Sequence, residues 1–406
     1  PRVNLLAADL GRQGDRGGRG PGRRHGAATA ADAVARALES WCSPRLGTPG
    51  IPLDPRRVAV AMSGGVDSAV ATMLLRDAGY DVVGVTMRLW HDPAAAAADR
   101  SCCSPETVQM ARRTAHRLGV PHITLDVAET FRAGVVEDFV EGYRSGRTPN
   151  PCVTCNGRVR FRILAAALVG ARGLATGHYA RVRVGADGHA LVSRAADEGK
   201  DQSYMLSMLD QPVRDRLLFP LGDLTKPEVR ALARDAGLDA AEAVDSQEVC
   251  FVGRGGHVPF LERAGVASTP GDILDEQGRR VGEHAGYWRF TIGQRRGLGV
   301  AGGVPVYVLD TDRAANTVTV GPREHLGVGS LVLEPARVHA PLDDMPVEVR
   351  VRYRGRALRG RVARDGESLR VDLLDVADGV APGQIAALYR NGSLVAAGTI
   401  ARAPRL

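Results

Sequence analysis

The sequence lacks long hydrophobic segments and has few cysteines, and each deficit excludes a class of protein. No apolar run approaches the roughly 20 residues that a membrane-spanning helix needs, so we expect no membrane association. Six cysteines among 406 residues are too few for a disulfide-stabilised extracellular scaffold. The sequence therefore predicts a cytoplasmic protein whose cysteines serve catalysis or metal binding.

The remaining composition is that of an ordinary globular protein with an excess of positive charge. Hydrophobic residues make up 44% of the chain, charged residues 24%, and the net charge is +7. A chain of this length is expected to form two or three domains. Arginine supplies most of the positive charge, and its guanidinium suits phosphate contacts. The composition permits a nucleic-acid partner.

A short strand pattern leads into a glycine turn between residues 61 and 68. Ser63, Gly64, Gly65, Asp67 and Ser68 stand in this turn, and an apolar helical pattern follows it. Paired glycines let the backbone approach a polyanion, and the helix N-terminus behind them favours phosphate. The turn lacks the Lys-Ser/Thr end of a Walker A loop and the spacing of a dinucleotide-binding loop. It resembles the PP-loop of enzymes that split ATP into AMP and pyrophosphate.

Strand and helix patterns alternate after residue 56. Strand patterns at 58–61, 81–87 and 122–127 alternate with helical patterns at 68–78 and 104–119. Such alternation predicts a parallel sheet covered by helices on both faces, with the glycine turn at the carboxyl end of the first strand.

The pattern changes beyond about residue 270 to short β-branched segments separated by glycine turns. These segments are 304–309, 317–320, 347–353, 369–374 and 385–389. Short strands at regular spacing predict antiparallel β structure that forms a small barrel. In the segment 347–353 and just after it, arginines alternate, which would place them on one strand face as an RNA contact or as a solvated surface.

Two cysteine segments stand out. Cys152 and Cys155 follow two prolines and precede a helical pattern at 159–168, where a helix N-terminus would lower thiol pKa values. Cys250 lies in a polar-to-apolar turn almost one hundred residues later. We therefore expect reactive thiols in both segments.

The chain resembles the bacterial tRNA-specific 2-thiouridylases from about Arg56 to the C-terminus. Beyond the PP-loop and the cysteines, the resemblance includes the segments 177–181, 200–204, 290–299 and 381–384 in the same order and spacing. It implies an α/β fold: a parallel-sheet PP-loop domain, a small central domain and a C-terminal antiparallel β-barrel. The corresponding divisions are a disordered extension at 1–55, a catalytic domain at 56–255, a tRNA-contacting central domain at 256–325 and a barrel at 326–406.

The resemblance also implies an activity, ATP-dependent 2-thiolation of the wobble uridine of tRNAs for lysine, glutamate and glutamine. It implies that Cys155 is the nucleophile and Cys250 the persulfide carrier, which end the cycle as a disulfide. ATP, with Mg²⁺ near Asp67, would be held by matched positions. These are Ala61, Met62, Ser63, Gly64, Gly65, Val66, Asp67, Ser68, Met87 and Gly177.

The partners that the resemblance implies are tRNA and an upstream sulfur donor, either a cysteine desulfurase or a relay protein. The positions matched to tRNA contact or to the target base share no single segment. They are Asn150, Pro151, Cys152, His178, Lys200, Asp201, Gln202, Arg352, Tyr353 and Gln384. For His178, a structural role at a strand end is an equal alternative.

Cys152 departs from the family pattern, because many members have an aspartate three residues before the nucleophile. A thiol takes up a proton poorly there, so a general acid or base role is in doubt at this position. Cys152, Cys155 and Cys250 could instead ligate an iron–sulfur cluster, as in some related thiolases. A zinc site that uses Cys102 and Cys103 is less consistent with tetrahedral geometry.

Two other functional classes share part of this pattern. An amidating ligase would carry the same glycine turn, but the sequence shows no glutaminase signature and such an enzyme does not need Cys155 and Cys250. A non-catalytic tRNA-binding module would not need an intact loop and cysteine pair. Both classes are less consistent with the sequence than a thiouridylase.

Overall fold

The structure, a computed structural model, describes residues 54–90, 104–166, 170–242, 249–253, 255–300, 304–343 and 345–406. The extension predicted at 1–55 lies outside this part, except that its last two residues belong to the first strand. Cys42, Cys102 and Cys103 also lie outside the described residues, as do residues 245–248 before Cys250.

The described strands are numbered in chain order. They are β1 (Asp54–Ala61), β2 (Asp81–Arg88), β3 (His122–Asp126), β4 (Ala171–Thr176), β5 (Arg181–Val184), β6 (Ala190–Ser193), β7 (Leu217–Leu218), β8 (Gly271–Leu274), β9 (Arg280–His284), β10 (Tyr307–Asp312), β11 (Thr317–Gly321), β12 (Gly327–Val338), β13 (Val347–Arg350), β14 (Leu358–Asp365), β15 (Ser368–Asp378), β16 (Ile385–Arg390) and β17 (Ser393–Arg402).

The described α-helices are numbered in the same way. They are α1 (Val66–Asp77), α2 (Pro105–Arg117), α3 (Ala128–Phe131), α4 (Glu137–Arg144), α5 (Pro151–Thr154), α6 (Phe161–Ala166), α7 (Gln211–Arg214), α8 (Lys226–Asp235) and α9 (His257–Arg263). Two π-helical segments, Arg132–Val136 and Cys155–Arg160, connect α3 to α4 and α5 to α6. Among the described residues, no helix is both long enough and apolar enough to cross a membrane.

The first part of the chain forms a parallel five-stranded sheet in the order β3-β2-β1-β4-β7. Val58, Ala59 and Val60 of β1 are all buried, because a central parallel strand is covered on both faces. Helix α2 begins where Ser104 accepts a hydrogen bond from the Thr107 N–H (3.3 Å) and Pro105 occupies the first turn. The predicted parallel α/β domain is therefore confirmed.

Two β units follow. The smaller is a four-stranded sheet in the order β10-β11-β8-β9. In the larger, β12 pairs with both β15 and β17, which closes six antiparallel strands into a barrel. Closure removes open sheet edges. The structure thus confirms the predicted C-terminal antiparallel barrel.

The predicted arginine strand is shorter than expected. Strand β13 ends at Arg350, and the residues after it form turns, so the alternating arginines do not share one strand face. Arg350 lies over the Tyr389 ring, 6.0 Å from its centroid, whereas Arg354 lies over the Tyr353 ring at 5.5 Å. The prediction of one continuous arginine face is wrong, because the turn redirects each side chain to a different partner.

The barrel is joined directly to the parallel-sheet domain. The hairpin β5–β6 leaves that domain and pairs with β17, with Ser193 opposite Ser393 and their hydroxyls 2.7 Å apart. The Tyr204 hydroxyl also donates to the Ile385 carbonyl at 2.8 Å. The two domains therefore share hydrogen-bonded backbone next to the segment predicted to contact tRNA.

Candidate active site

The glycine turn forms a tight loop between β1 and α1. Gly64 has φ +77°, and a Cβ on it would lie 2.3 Å from the carbonyl oxygen of Thr107. The Ser63 N–H donates to the Ser68 hydroxyl at 3.2 Å, and that hydroxyl donates to the Gly65 carbonyl at 3.0 Å. Gly65 is the N-cap of α1 and provides no side-chain cap. The loop thus turns an uncapped helix N-terminus toward the site, which suits a phosphate group.

Asp67 is held by two side chains from distant parts of the chain. Lys226 Nζ lies 2.8 Å from each Asp67 carboxylate oxygen, and the Tyr179 hydroxyl donates to Oδ1 at 2.9 Å. The Lys226 side chain is only 9% exposed. Asp67 was expected near Mg²⁺, but in this structure its carboxylate is engaged by a cation and a hydroxyl.

Met87 and Gly177 reach the same edge of the sheet as the loop. β2 and β4 flank β1, with Ala61 opposite both Val85 and Thr176. Gly177 packs directly on the loop, because a Cβ there would lie 2.7 Å from the Asp67 carbonyl carbon and from the Ser68 nitrogen. The structure therefore brings the predicted ATP-binding positions together.

The first cysteine segment begins a short helix. The Asn150 side chain caps it by accepting the Val153 N–H at 3.2 Å, and Pro151 occupies its first turn. Cys155 is 6% exposed and begins the π-helical segment. Burial, together with Cys155, raises the pKa of the Cys152 thiol. The expected lowering of the thiol pKa by a helix N-terminus is therefore wrong for Cys152, because desolvation of the thiolate prevails.

Cys250 lies in a half-exposed turn on an aromatic cluster. Phe251 packs edge-to-face against the rings of Phe139 and Phe260, with both centroid distances 5.2 Å. Cys155 belongs to the same apolar cluster, and Cys250 packs against it from the side. The two cysteines predicted to react thus approach one cluster from different segments.

The three cysteines do not form a metal-binding group in the structure. Within the described part of the chain, no set of three or more His, Cys, Asp or Glu side chains is arranged to hold a metal ion. Cys152, Cys155 and Cys250 are all free thiols. The donor arrangement of this structure therefore does not fit an iron–sulfur cluster.

His178 is a neutral side chain packed between aromatic rings. It stacks on Phe161 with centroids 6.1 Å apart, and its Nδ1 lies 2.7 Å from the Thr176 hydroxyl. Burial, together with the charge of Arg160, lowers the pKa of His178 to about 3. It therefore carries no positive charge near neutral pH with which to attract phosphate.

The segment matched to tRNA contact is divided in its use. Asp201 is buried and accepts hydrogen bonds from the Ala195 N–H (3.2 Å) and the Ser203 hydroxyl (3.0 Å). The Gln202 side chain accepts the N–H of Tyr179 at 3.0 Å. Lys200, by contrast, lines an open cavity. Asp201 and Gln202 thus stabilise the local fold, and Lys200 faces outward.

The barrel positions matched to tRNA contact lie at domain junctions. Gln384 donates to the carbonyl of Thr148 at 2.8 Å, just before the cysteine helix. Arg352 donates to the Gly379 carbonyl while the residue remains exposed. Tyr353 packs beside Tyr204, with ring centroids 6.1 Å apart. These residues position backbone segments around the site.

The sequence analysis missed Lys226 and the hydroxyl of Tyr179. No motif marks Lys226, which lies 159 residues after Asp67. A compositional signal was present, however, because Lys200 and Lys226 are the only lysines in the sequence. In a chain that otherwise uses arginine for its basic residues, each lysine deserved inspection.

Comparisons with known proteins agree with this geometry. Family models match three consecutive parts of the chain: a tRNA methyl transferase HUP domain (residues 56–254), a tRNA methyl transferase PRC-barrel domain (259–322) and an aminomethyltransferase beta-barrel domain (330–400).

Curated relatives match over most of the chain. The tRNA-specific 2-thiouridylase MnmA of Parvibaculum lavamentivorans is 44% identical over 86% of this chain and 90% of its own length. That of Acidothermus cellulolyticus is 45% identical over 86% of this chain and 98% of its own length. The bifunctional protein NifU/MnmA of Rubrobacter xylanophilus is 44% identical over 94% of this chain and 78% of its own length. The chain belongs to the family of tRNA-specific 2-thiouridylases, which use a PP-loop and ATP.

Proposed function

We propose that this protein catalyses ATP-dependent 2-thiolation of the wobble uridine in tRNAs for lysine, glutamate and glutamine. One observation carries the proposal beyond family membership: Met87 at the predicted nucleotide edge, Cys155 and Cys250 all pack on one cluster. A nucleotide-activating loop and two thiols therefore adjoin the same wall. An amidating ligase has no use for this arrangement.

In the first step, the uridine O2 attacks the α-phosphorus of ATP and pyrophosphate leaves. The residues at 61–68 bind the phosphates through backbone N–H groups at the uncapped start of α1. Gly177 closes over the loop because a side chain there would collide with it. Mg²⁺ bound to the phosphates would neutralise their charge, and Asp67, held by Lys226, is the nearest carboxylate of the loop to assist it.

In the second step, sulfur replaces the oxygen at C2. The terminal sulfur of a Cys250 persulfide attacks C2, and AMP leaves with the former O2. The Cys155 thiolate then attacks Sγ of Cys250, which releases 2-thiouridine and forms a Cys155–Cys250 disulfide. An external thiol reductant must reduce this disulfide, and an upstream cysteine desulfurase or relay protein in the cytoplasm must restore the persulfide.

Cys152 takes no proton in this scheme, since the raised pKa keeps it a neutral thiol at neutral pH. Together with Asn150 and Pro151 it forms the turn that approaches the target base. Lys200, Arg352 and Tyr353 lie on the tRNA side, and Asp201, Gln202, His178 and Gln384 support them. The catalytic domain at 56–255, the central domain at 256–325 and the barrel at 326–406 would each contribute to this surface.

The test compares Cys155→Ser and Cys250→Ser with Cys152→Ser as a matched control. Each is assayed, free of metal, for tRNA-dependent pyrophosphate release and for thiolation of an unmodified glutamate tRNA with a persulfide donor. We expect the first two variants to release pyrophosphate but to form no thiouridine, whereas Cys152→Ser retains both activities. Thiolation that requires reconstitution with iron and sulfide, and that is lost in all three variants, would favour an iron–sulfur cluster instead.

A further inference from the structure

The two lysines of the chain line one cavity. The cavity has a volume of about 560 Å³ and is lined by Asp197, Gly199, Lys200, Lys226, Pro227, Arg230 and Arg234. All other basic side chains of this sequence, apart from histidine, are arginines. Lysine presents a compact ammonium where arginine presents a broad planar fork, so the two are not equivalent at a confined site. Their joint occurrence here indicates a specific use of this cavity.

The charges of the cavity favour an anionic occupant. Four cationic side chains face one carboxylate, and that carboxylate is already used within the protein. Asp197 accepts the N–H of Lys200 at 3.2 Å through Oδ1 and the N–H of Lys226 at 3.0 Å through Oδ2. Arg230 and Arg234 lie one turn apart on α8, where like charges repel each other. A bound phosphate would relieve that repulsion.

The floor and the mouth of the cavity differ. Lys226 is 7% exposed at the floor, and its ammonium contacts Asp67 in the phosphate loop. Arg234 is exposed at the mouth, and Lys200 is half-buried beside the segment that the family match assigns to tRNA. The cavity therefore opens toward the RNA side, whereas its floor touches the ATP loop.

We propose that this cavity binds a backbone phosphate of the tRNA through Lys200, Arg230 and Arg234, and that Lys226 connects it to the ATP loop through Asp67. The proposal rests on the proposed function, because it takes tRNA as the substrate. Lys226 acts as a positioning residue whose backbone N–H is fixed by Asp197 and whose ammonium is fixed by Asp67. A phosphate bound against α8 would thus stabilise the helix that orients Asp67.

The experiment measures tRNA binding as a function of salt for Arg234→Ala and Arg230→Gln. Arg113→Ala, an exposed arginine on helix α2 that does not line the cavity, is the matched control. We expect each cavity variant to weaken tRNA binding about 5- to 10-fold and to reduce the salt dependence by about one unit of slope. Nucleotide binding, measured separately, should not change.

Two charge-conserving variants test the connection. Lys200→Arg should retain both tRNA binding and pyrophosphate release. Lys226→Arg should bind tRNA within about twofold of the parent but release pyrophosphate at least about 10-fold more slowly, because a guanidinium does not fit where the ammonium meets Asp67. Equal activity of the two variants would overturn the connection between cavity and loop.

Other outcomes would overturn the binding site itself. Unchanged tRNA binding in both Arg234→Ala and Arg230→Gln would exclude an RNA phosphate. Unchanged tRNA binding with weaker inhibition by added pyrophosphate would assign the cavity to the leaving group instead. A parent protein that binds tRNA and responds to these substitutions, but forms no thiouridine, would refute the proposed function and leave the cavity assignment standing.

Discussion

The two walls of the candidate site are built in opposite ways. The phosphate wall is polar and closely hydrogen-bonded, with Asp67 held by Lys226 and Tyr179. The thiol wall is apolar: Cys155 and Cys250 rest on an aromatic cluster that includes Phe251. Polar groups of defined geometry suit the binding of a polyanion, whereas thiols that must approach and separate again suit a wall without directional bonds.

The comparison indicates that the two half-reactions can be separated by mutation. A change at the phosphate wall should impair formation of the adenylated uridine and hence everything after it. A change at the thiol wall should impair sulfur transfer alone. The predictions below test that separation.

The largest effect is expected for Gly64→Ala. Its Cβ would lie 2.3 Å from a backbone carbonyl of α2, so the loop must shift, and tRNA-dependent pyrophosphate release should fall more than about 100-fold. The matched control is Gly79→Ala, which has a similar φ of +85° but no atom within 4 Å of the new Cβ. A comparable loss of activity in the control would mean that backbone strain, and not the loop contact, is responsible.

The thiol wall should respond most to Phe251→Ala. This side chain is 3% exposed and contacts four aromatic rings, so its truncation should lower the free energy of unfolding by about 3–5 kcal/mol. At temperatures where the variant is folded, thiolation should fall much more than pyrophosphate release. Phe251→Leu, which refills most of the space, should recover thiolation; equal loss of both activities would contradict the separation.

A smaller effect on the phosphate wall is expected for Tyr179→Phe. The substitution removes only the hydroxyl that donates to Asp67. A hydrogen bond to a charged group contributes about 1.5–3 kcal/mol, and because Asp67 is partly exposed we expect the lower end, about a 10-fold slower pyrophosphate release. Tyr204→Phe, which loses a hydroxyl bond to the Ile385 carbonyl instead, should release pyrophosphate at the parent rate.

The smallest effect concerns acid stability. Burial, with the charge of Arg214, lowers the pKa of His339 to about 3, as burial also does for His178. Between pH 6.5 and 3 the unfolded chain binds a proton at each position that the folded chain does not, so stability is present above this range and lost as the pH falls. The free energy of unfolding should drop by about 1.4 kcal/mol per pH unit for each histidine.

Denaturant titrations at several pH values check this prediction. His339→Gln and His178→Gln should each flatten the pH dependence, whereas the exposed His116→Gln should leave it unchanged. A slope that stays the same in all three variants would assign the acid sensitivity to other groups.

Local sequence patterns predicted the fold better than they predicted the site. The alternation of strands and helices gave the parallel sheet, and Ser104 with Pro105 gave the start of α2, because such signals act over a few residues. The partners of Asp67 could not be read in this way, since Lys226 meets it only after the sheet has formed. The thiol pKa argument failed at Cys152 because burial, a tertiary property, outweighed the helix N-terminus.

The junction between the barrel and the first domain has a consequence for biosynthesis. Gln384 holds the Thr148 carbonyl across 236 residues, and the Pro382 carbonyl accepts the N–H of Thr148 at 2.8 Å. A ribosome therefore completes the phosphate loop and all three cysteines long before it makes the residues that brace the cysteine helix. A nascent chain that has folded only its first domain would carry the reactive groups without this brace, so thiolation should begin only once the chain has been released in full.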